Sequence, residues 1–122
     1  MNNISFYKYQ GTGNDFILID NRQGTLVMAE ETISKMCNRK FGIGSDGLML
    51  IQPTSSPLAD FYLEFYNPDG SKSFCGNGSR CAVAFARFLG VCTDKTEFLA
   101  IDGMHSATID PDGKVALRMK DV

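Results

Sequence analysis

The stretch Ser79–Leu89 restricts the fold of this chain more than any other. Cys81, Ala82, Val83, Ala84, Phe85, Ala86, Phe88 and Leu89 leave almost no polar face on the helix it predicts, and Gly90 supplies a stop. A helix apolar nearly all round has to be enclosed, so the remaining chain must be built to surround it. Most of that remainder is cut into short segments of strand character. Phe61, Leu63 and Phe65 alternate with Tyr62, Glu64 and Tyr66, and Asn67-Pro68-Asp69-Gly70 then turns the chain back through Ser71–Phe74 as a hairpin partner.

Further strands are predicted on both sides of this hairpin. Ile4–Gln10 alternates until Gly11-Thr12-Gly13-Asn14 breaks it, and Phe16–Asp20 reads as a buried strand ending in a turn at Asn21–Gly24. Leu48–Ile51 is a short apolar strand that follows the glycine-rich loop Phe41–Gly47. The tail reads as a meander of Phe98–Ile101, Ser106–Ile109 and Val115–Met119, parted by turns at Asp102-Gly103 and Pro111-Asp112-Gly113. A second helix is predicted from Glu30 to about Lys40, with Ile33, Met36, Cys37 and Phe41 at helical spacing. Its early acids and late bases suit the macrodipole. Strands outnumber helices and hairpin turns recur, which predicts an α+β domain: a largely antiparallel sheet around a central buried helix.

At 122 residues the chain is one domain by size. Twelve basic and fourteen acidic residues are well mixed, which argues against nucleic acid or an anionic membrane as partner. No apolar run approaches the roughly 20 residues of a membrane span. The opening residues show no basic region followed by an apolar one, so a cytoplasmic protein is expected. In that compartment the four cysteines are expected as free thiols. Metal binding is not expected: Cys75 and Cys81 are too far apart for a zinc knuckle, and His105 is the only histidine. His105 itself falls in a hairpin with no visible acid partner and is expected at the surface.

Chemistry concentrates at Cys75-Gly76-Asn77-Gly78, where a cysteine meets the start of the central helix. Unpaired N–H groups and the positive end of the helix dipole favour a thiolate there, and they can also hold a carboxylate. Gly76 and Gly78 leave room for a ligand to approach. A thiol base beside a carboxylate cradle is suited to removing the α-proton of an amino acid, because the N–H donors stabilise charge that spreads onto the carboxylate. An isolated cysteine is more often a small apolar residue at a turn, and the CGNG setting is what shifts the balance. Cys81 would lie about 9 Å further along the helix axis, too far to share a small substrate's face with Cys75. Cys37 and Cys92 read as core or surface thiols. Asn14 and Asn67 stand on tight loops and suit either turn formation or contact with a substrate's ammonium or carboxylate. The Gly42–Gly47 loop lacks the Gly-Lys-Ser/Thr ending of a phosphate loop and precedes a strand, which disfavours a nucleotide.

Four segments in order, Tyr9–Phe16, Asn38–Gly47, Phe65–Ser71 and Cys75–Cys81, resemble the diaminopimelate epimerases. That family interconverts LL- and meso-diaminopimelate, in lysine and peptidoglycan precursor biosynthesis, without pyridoxal phosphate or metal. The resemblance implies that Cys75 is one of two catalytic cysteines. It also implies that the amides of Gly76 and Asn77 grip the α-carboxylate and that Asn14 and Asn67 contact substrate. Gly47 falls where some relatives carry a substrate-touching glutamine, and no binding role is assigned to it. The implied fold is two similar lobes, each a sheet curled around a helix, with the site between them.

One departure is large. The family's second cysteine comes from a second lobe, and residues 1–122 amount to a single amino-terminal lobe. None of Cys37, Cys81 or Cys92 stands in a second Cys-Gly setting, so the chain alone is expected to be inactive, with the missing lobe as its partner. Whether the full-length protein is a homodimer stays open. Two other readings remain: a related proline or hydroxyproline racemase, and a single-lobe amino-acid-binding module without chemistry. A thiol redox protein ranks last because no C-x-x-C is present.

Overall fold

The computed structural model describes residues 5–11 and 13–119, so Ile4, Thr12 and Val122 fall outside the described residues. The element order is β1 (Tyr7–Gly11), β2 (Asn14–Asp20), α1 (Glu30–Cys37), β3 (Leu48–Gln52), β4 (Phe61–Tyr66), β5 (Lys72–Ser73), α2 (Gly76–Leu89), β6 (Lys95–Ala100), β7 (Gly103–Ile109) and β8 (Val115–Met119). Among the described residues the strands form one sheet ordered β1-β2-β3-β4-β6-β7-β8, with β5 paired to β4. Most neighbours are antiparallel, as expected. The exceptions are β2–β3 and β4–β6, which are parallel. Parallel strands need a crossover, and the two helices provide one each.

The helices cover opposite faces. In β2, Phe16 and Leu18 join the core around α2, while Ile17 and Ile19 join the cluster around α1 with Ile33, Cys37, Leu48, Leu50 and Tyr66. Residues 16–19 and 48–51 are uninterrupted apolar runs because both faces of β2 and β3 are buried. The two end strands of the sheet, β1 and β8, both pack on α2, so the sheet curls around that helix.

Helix α2 starts earlier than its periodicity suggests, at Gly76, with Cys75 in extended geometry as its N-cap. It ends at Gly90, whose φ of 84° is left-handed. There the N–H of Gly90 donates to the carbonyl of Arg87 (3.0 Å) and that of Val91 to Ala86 (2.9 Å), satisfying the last carbonyls. Cys81, Ala82, Val83, Phe85 and Ala86 are buried. Enclosure is incomplete, however: Arg80, Arg87 and Phe88 are exposed, Phe88 by 63%. Arg80 lines, with Cys81 and Ala84, a cleft of about 770 Å³ between the β1 and β8 edges. The curl stops short of closing, and the helix keeps one open stripe.

Helix α1 ends at Cys37 instead of continuing to Lys40. The side-chain oxygen of Asn38 accepts from the N–H groups of Lys40 (2.8 Å) and Phe41 (2.9 Å), offering the backbone an alternative to another helical turn. Gly42 then folds back against the helix end, where a Cβ would lie 1.9 Å from the carbonyl oxygen of Lys35. Phe41, expected on the helix's apolar face, is consequently 83% exposed.

A charged network ties this returning loop to the first hairpin. Arg39 pairs with Asp15 (2.8 Å) and Asp46 (3.0 Å), and Lys8 pairs with Asp15 (2.9 Å) and reaches the carbonyl of Gly44. The Asp46 carboxylate accepts from the N–H of Asp15 (2.9 Å), whose carbonyl accepts from the N–H of Asp46 (2.8 Å). Hydrogen bonds from Arg39 and then Lys8 hold the Asp15 carboxyl well below the usual carboxylate range.

This depressed value fixes the sign of a pH effect. The stabilisation is complete above the unfolded-state value of about 3.9 and is lost as pH falls below it. Asp15→Asn should lower the thermal midpoint at pH 7, and its gap from the parent should narrow below about pH 4. A second expectation concerns Gly47, where a Cβ would stand 2.6 Å from Cζ of Phe65 in the core. Gly47→Ala should cost about 1–3 kcal/mol in urea unfolding, the range of an overpacked core.

Candidate active site

Cys75 is placed by structure on both sides of it. Upstream, the turn at Asn67–Gly70 is closed by the N–H of Asn67 donating to Ser71 (2.7 Å) and that of Gly70 to Asn67 (2.9 Å). This sets the register in which Ser73 of β5 faces Phe65 of β4. Downstream, the carbonyl of Cys75 accepts from the N–H (2.8 Å) and the hydroxyl (2.9 Å) of Ser79, a residue with no solvent exposure. The sulfur accepts from the N–H of Gly78 at 3.4 Å. With φ −135° and ψ 120°, Cys75 is the capping residue of α2 and its thiol stands at the positive end of the helix.

Of the four thiols, Cys75 alone is not buried, and all four are free. Burial pushes the Cys37, Cys81 and Cys92 thiols up, which keeps them protonated and inert. For Cys81 the neighbouring Cys75 adds to that burial effect.

The two glycines after Cys75 serve different ends. A Cβ on Gly78 would come within 3.1 Å of Phe65 and 3.2 Å of the Met49 sulfur, so this glycine lets the helix approach the sheet. A Cβ on Gly76 would meet nothing within 4 Å, and its φ is not positive. No packing among the described residues demands glycine at 76. The N–H groups of Gly76 and Asn77, first in the helix, have no acceptor among the described residues. Two N–H donors at the end of α2 that Cys75 caps are thus left without a partner among the described residues. Asn77's own carboxamide accepts from Arg80 at 3.3 Å.

Asn14 opens β2 opposite Gly11. A Cβ on Gly11 would stand 3.1 Å from the Cys81 sulfur and 3.9 Å from the Asn77 carbonyl, so the first hairpin rests against the opening turn of α2. Asn14 therefore lies at the same end of the fold as Asn77, half-buried, and its carboxamide has no hydrogen-bond partner among the described residues. Asn67 is engaged in its own hairpin. It donates to the Ser71 hydroxyl (3.0 Å) and accepts from that of Ser73 (3.1 Å), the turn-forming use expected of such a residue. One of its N–H bonds and one oxygen lone pair are left over. At Gly47 the missing side chain is explained by the Phe65 ring.

One expectation fails. His105 is not at the surface: it is 3% exposed, with Nε2 2.8 Å from a carboxylate oxygen of Asp102. Its ring lies between those of Phe74 (centroids 4.3 Å apart, planes 8° apart) and Phe98 (5.2 Å, 14°). The available signal was Asp102, three residues earlier and across a tight turn. Its sandwich could not be read locally, because Phe74 belongs to a distant segment.

Among the described residues no group of three or more His, Cys, Asp or Glu side chains is arranged to hold a metal, and no helix is long and apolar enough to cross a membrane.

Comparison with known proteins places this geometry in context. A diaminopimelate epimerase from Flavobacterium psychrophilum is 50% identical over 98% of this chain, which covers 46% of that protein. The chain spans about half the length of the curated relatives it matches. Among solved structures, a methylitaconate-delta-isomerase superposes with a TM-score of 0.72 at 17% identity, over 91% of this chain and 35% of that one. A probable proline racemase from Agrobacterium radiobacter K84 superposes with a TM-score of 0.69 at 18% identity, over 96% of this chain and 42% of that one. At such identities these two speak for the fold alone. The profile named Diaminopimelate epimerase matches residues 6–122, nearly the whole chain, and this chain therefore belongs to the diaminopimelate epimerase family.

Proposed function

We propose that this chain is the amino-terminal lobe of an enzyme that epimerises LL- and meso-diaminopimelate, with Cys75 as the thiol acting on one face of the α-carbon. The observation that carries the reading is a capping thiol, not buried, beside two unengaged helix N–H groups and an unfilled space at Gly76.

The chemistry follows from that arrangement. The α-carboxylate is held by the N–H groups of Gly76 and Asn77, which brings the α-carbon beside the Cys75 sulfur. The thiolate takes the α-proton, and the electron pair of the broken C–H bond spreads into the carboxylate. The same two donors strengthen as negative charge grows on it, so they stabilise the transition state more than the bound substrate. A second thiol, supplied by the other lobe, returns a proton to the opposite face. The free carboxamide of Asn14 and the spare donor and acceptor of Asn67 hold the substrate's polar groups in that orientation. Proton removal and return by two thiols need no cofactor in this scheme. Both thiols must stay reduced, which suits the cytoplasm.

The test is made on the full-length protein. Cys75→Ser should lower kcat by on the order of 10²–10⁴-fold, the usual contribution of a positioned acid–base group, with the thermal midpoint unchanged. A Ser variant retaining turnover within tenfold would sink the reading. The isolated 122-residue chain should give no epimerisation of diaminopimelate by chiral chromatography; any turnover would rule out the two-lobe scheme.

A further inference from the structure

The rings around His105 form a column that ends at Phe74, the residue before the proposed catalytic thiol. Phe61 of β4 stacks on Phe98 of β6 (centroids 5.1 Å apart, planes 6° apart), Phe98 on His105 of β7, and His105 on Phe74. Each neighbouring pair of planes along the column lies within 14° of parallel. Phe74 is the residue immediately before Cys75. It lies outside β5 and α2, so no ladder or helical hydrogen bond of these elements fixes it. The N–H donors that grip the carboxylate are fixed by α2. The backbone that enters the cap from the other side follows from the β4–β5 register, and the stack on the Phe74 ring holds its last residue.

From this stack we infer that His105 is a positioning residue for the proposed reaction: its flat ring pins Phe74 and thereby sets the direction of the Cys75 sulfur. The inference rests on the function proposed above. His105 touches neither substrate nor the reacting atoms in this account. A planar ring is required because a stacked partner restricts both the position and the tilt of Phe74, whereas a branched aliphatic chain restricts only its position. Asp102 serves the column by fixing the imidazole's rotation through the 2.8 Å contact at Nε2. The arrangement also accounts for a polar ring among apolar neighbours. Its one buried polar contact is made to a carboxylate that itself reaches solvent, with the Asp102 side chain 36% exposed.

The experiment compares His105→Phe with His105→Leu in the full-length protein. It measures kcat and KM for diaminopimelate, the rate of Cys75 alkylation by iodoacetamide, and the thermal midpoint. Displacing a reacting group by about 1 Å can cost on the order of 10²-fold. The Leu variant should therefore lose about tenfold or more in kcat with KM little changed, and alkylation of Cys75 should slow in parallel. The Phe variant keeps the stack without the Asp102 contact, and should hold kcat and alkylation within about threefold of the parent. A Leu variant that is folded and keeps kcat within twofold overturns the proposal. So does equal loss in the Leu and Phe variants, which would point to the imidazole's polarity. Should His105→Leu fail to fold, Phe74→Leu breaks the same contact from the other side and must show the same kcat loss; unchanged kcat there also overturns it. Cys75→Ser separates the two levels, because retained turnover in that variant defeats the proposed function whatever the stack does.

Discussion

Helix α2 packs against the concave face of the sheet closely enough that a methyl group at Gly78 would press on Phe65 and Met49. Much else in the fold depends on that approach. It brings Phe85 under the rings of Tyr7 and Tyr9 and sets Ala82, Val83 and Ala86 among the strands with no solvent exposure. A rigid rod fixed along its length is also fixed at its end. The first turn of α2 therefore presents its N–H groups in one place, with Cys75 capping it. The hydrophobic contact that stabilises the lobe is the same contact that aims the proposed site.

Each polar residue around Cys75 is held by a different part of the fold. Asn14 comes from a hairpin anchored by the Lys8–Asp15–Arg39–Asp46 charges, Asn67 from a hairpin closed by its own side chain, and the amides from the helix. The charges are partly solvated, so their individual worth is small. Their effect is geometric: they hold the Gly42–Gly47 loop against the first hairpin, and that hairpin rests on the opening turn of α2.

The sequence announced whatever is encoded by near neighbours. Asn67-Pro68-Asp69-Gly70 is a turn in any context, Gly90 is a helix stop, and the alternation of Phe61, Leu63 and Phe65 marks an inward face. The position of Cys75 at a helix start was legible for the same reason, because a cysteine and two glycines there form a local pattern. Features decided across space were not. Gly76 and Gly78 look alike in sequence, yet one faces open space and the other the Phe65 ring. The early end of α1 depended on which backbone groups the Asn38 side chain would capture. The parallel joins β2–β3 and β4–β6 follow from where the crossover helices pack. The sandwich around His105 unites residues from separate segments, and no periodicity reports it.

The narrow β4–β6 ladder has a consequence for how the lobe comes apart. Only Phe61–Phe98 and Tyr62–Leu99 are paired across it, whereas β6 and β7 are paired along their whole length. The β6–β7–β8 meander is thus joined to the remaining strands by a short seam, the Phe61–Phe98 stack and the bonds of Asp60 with Thr96 and Glu97, while β8 packs on α2. A segment joined to its sheet by few strand pairs is of the kind that opens as a cooperative unit at low free energy. A brief detachment of this unit leaves the helix cap and its amides in place but withdraws the ring beneath Phe74. On the proposed reading, such an opening would disturb the alignment of the thiol and leave the helix amides where they are.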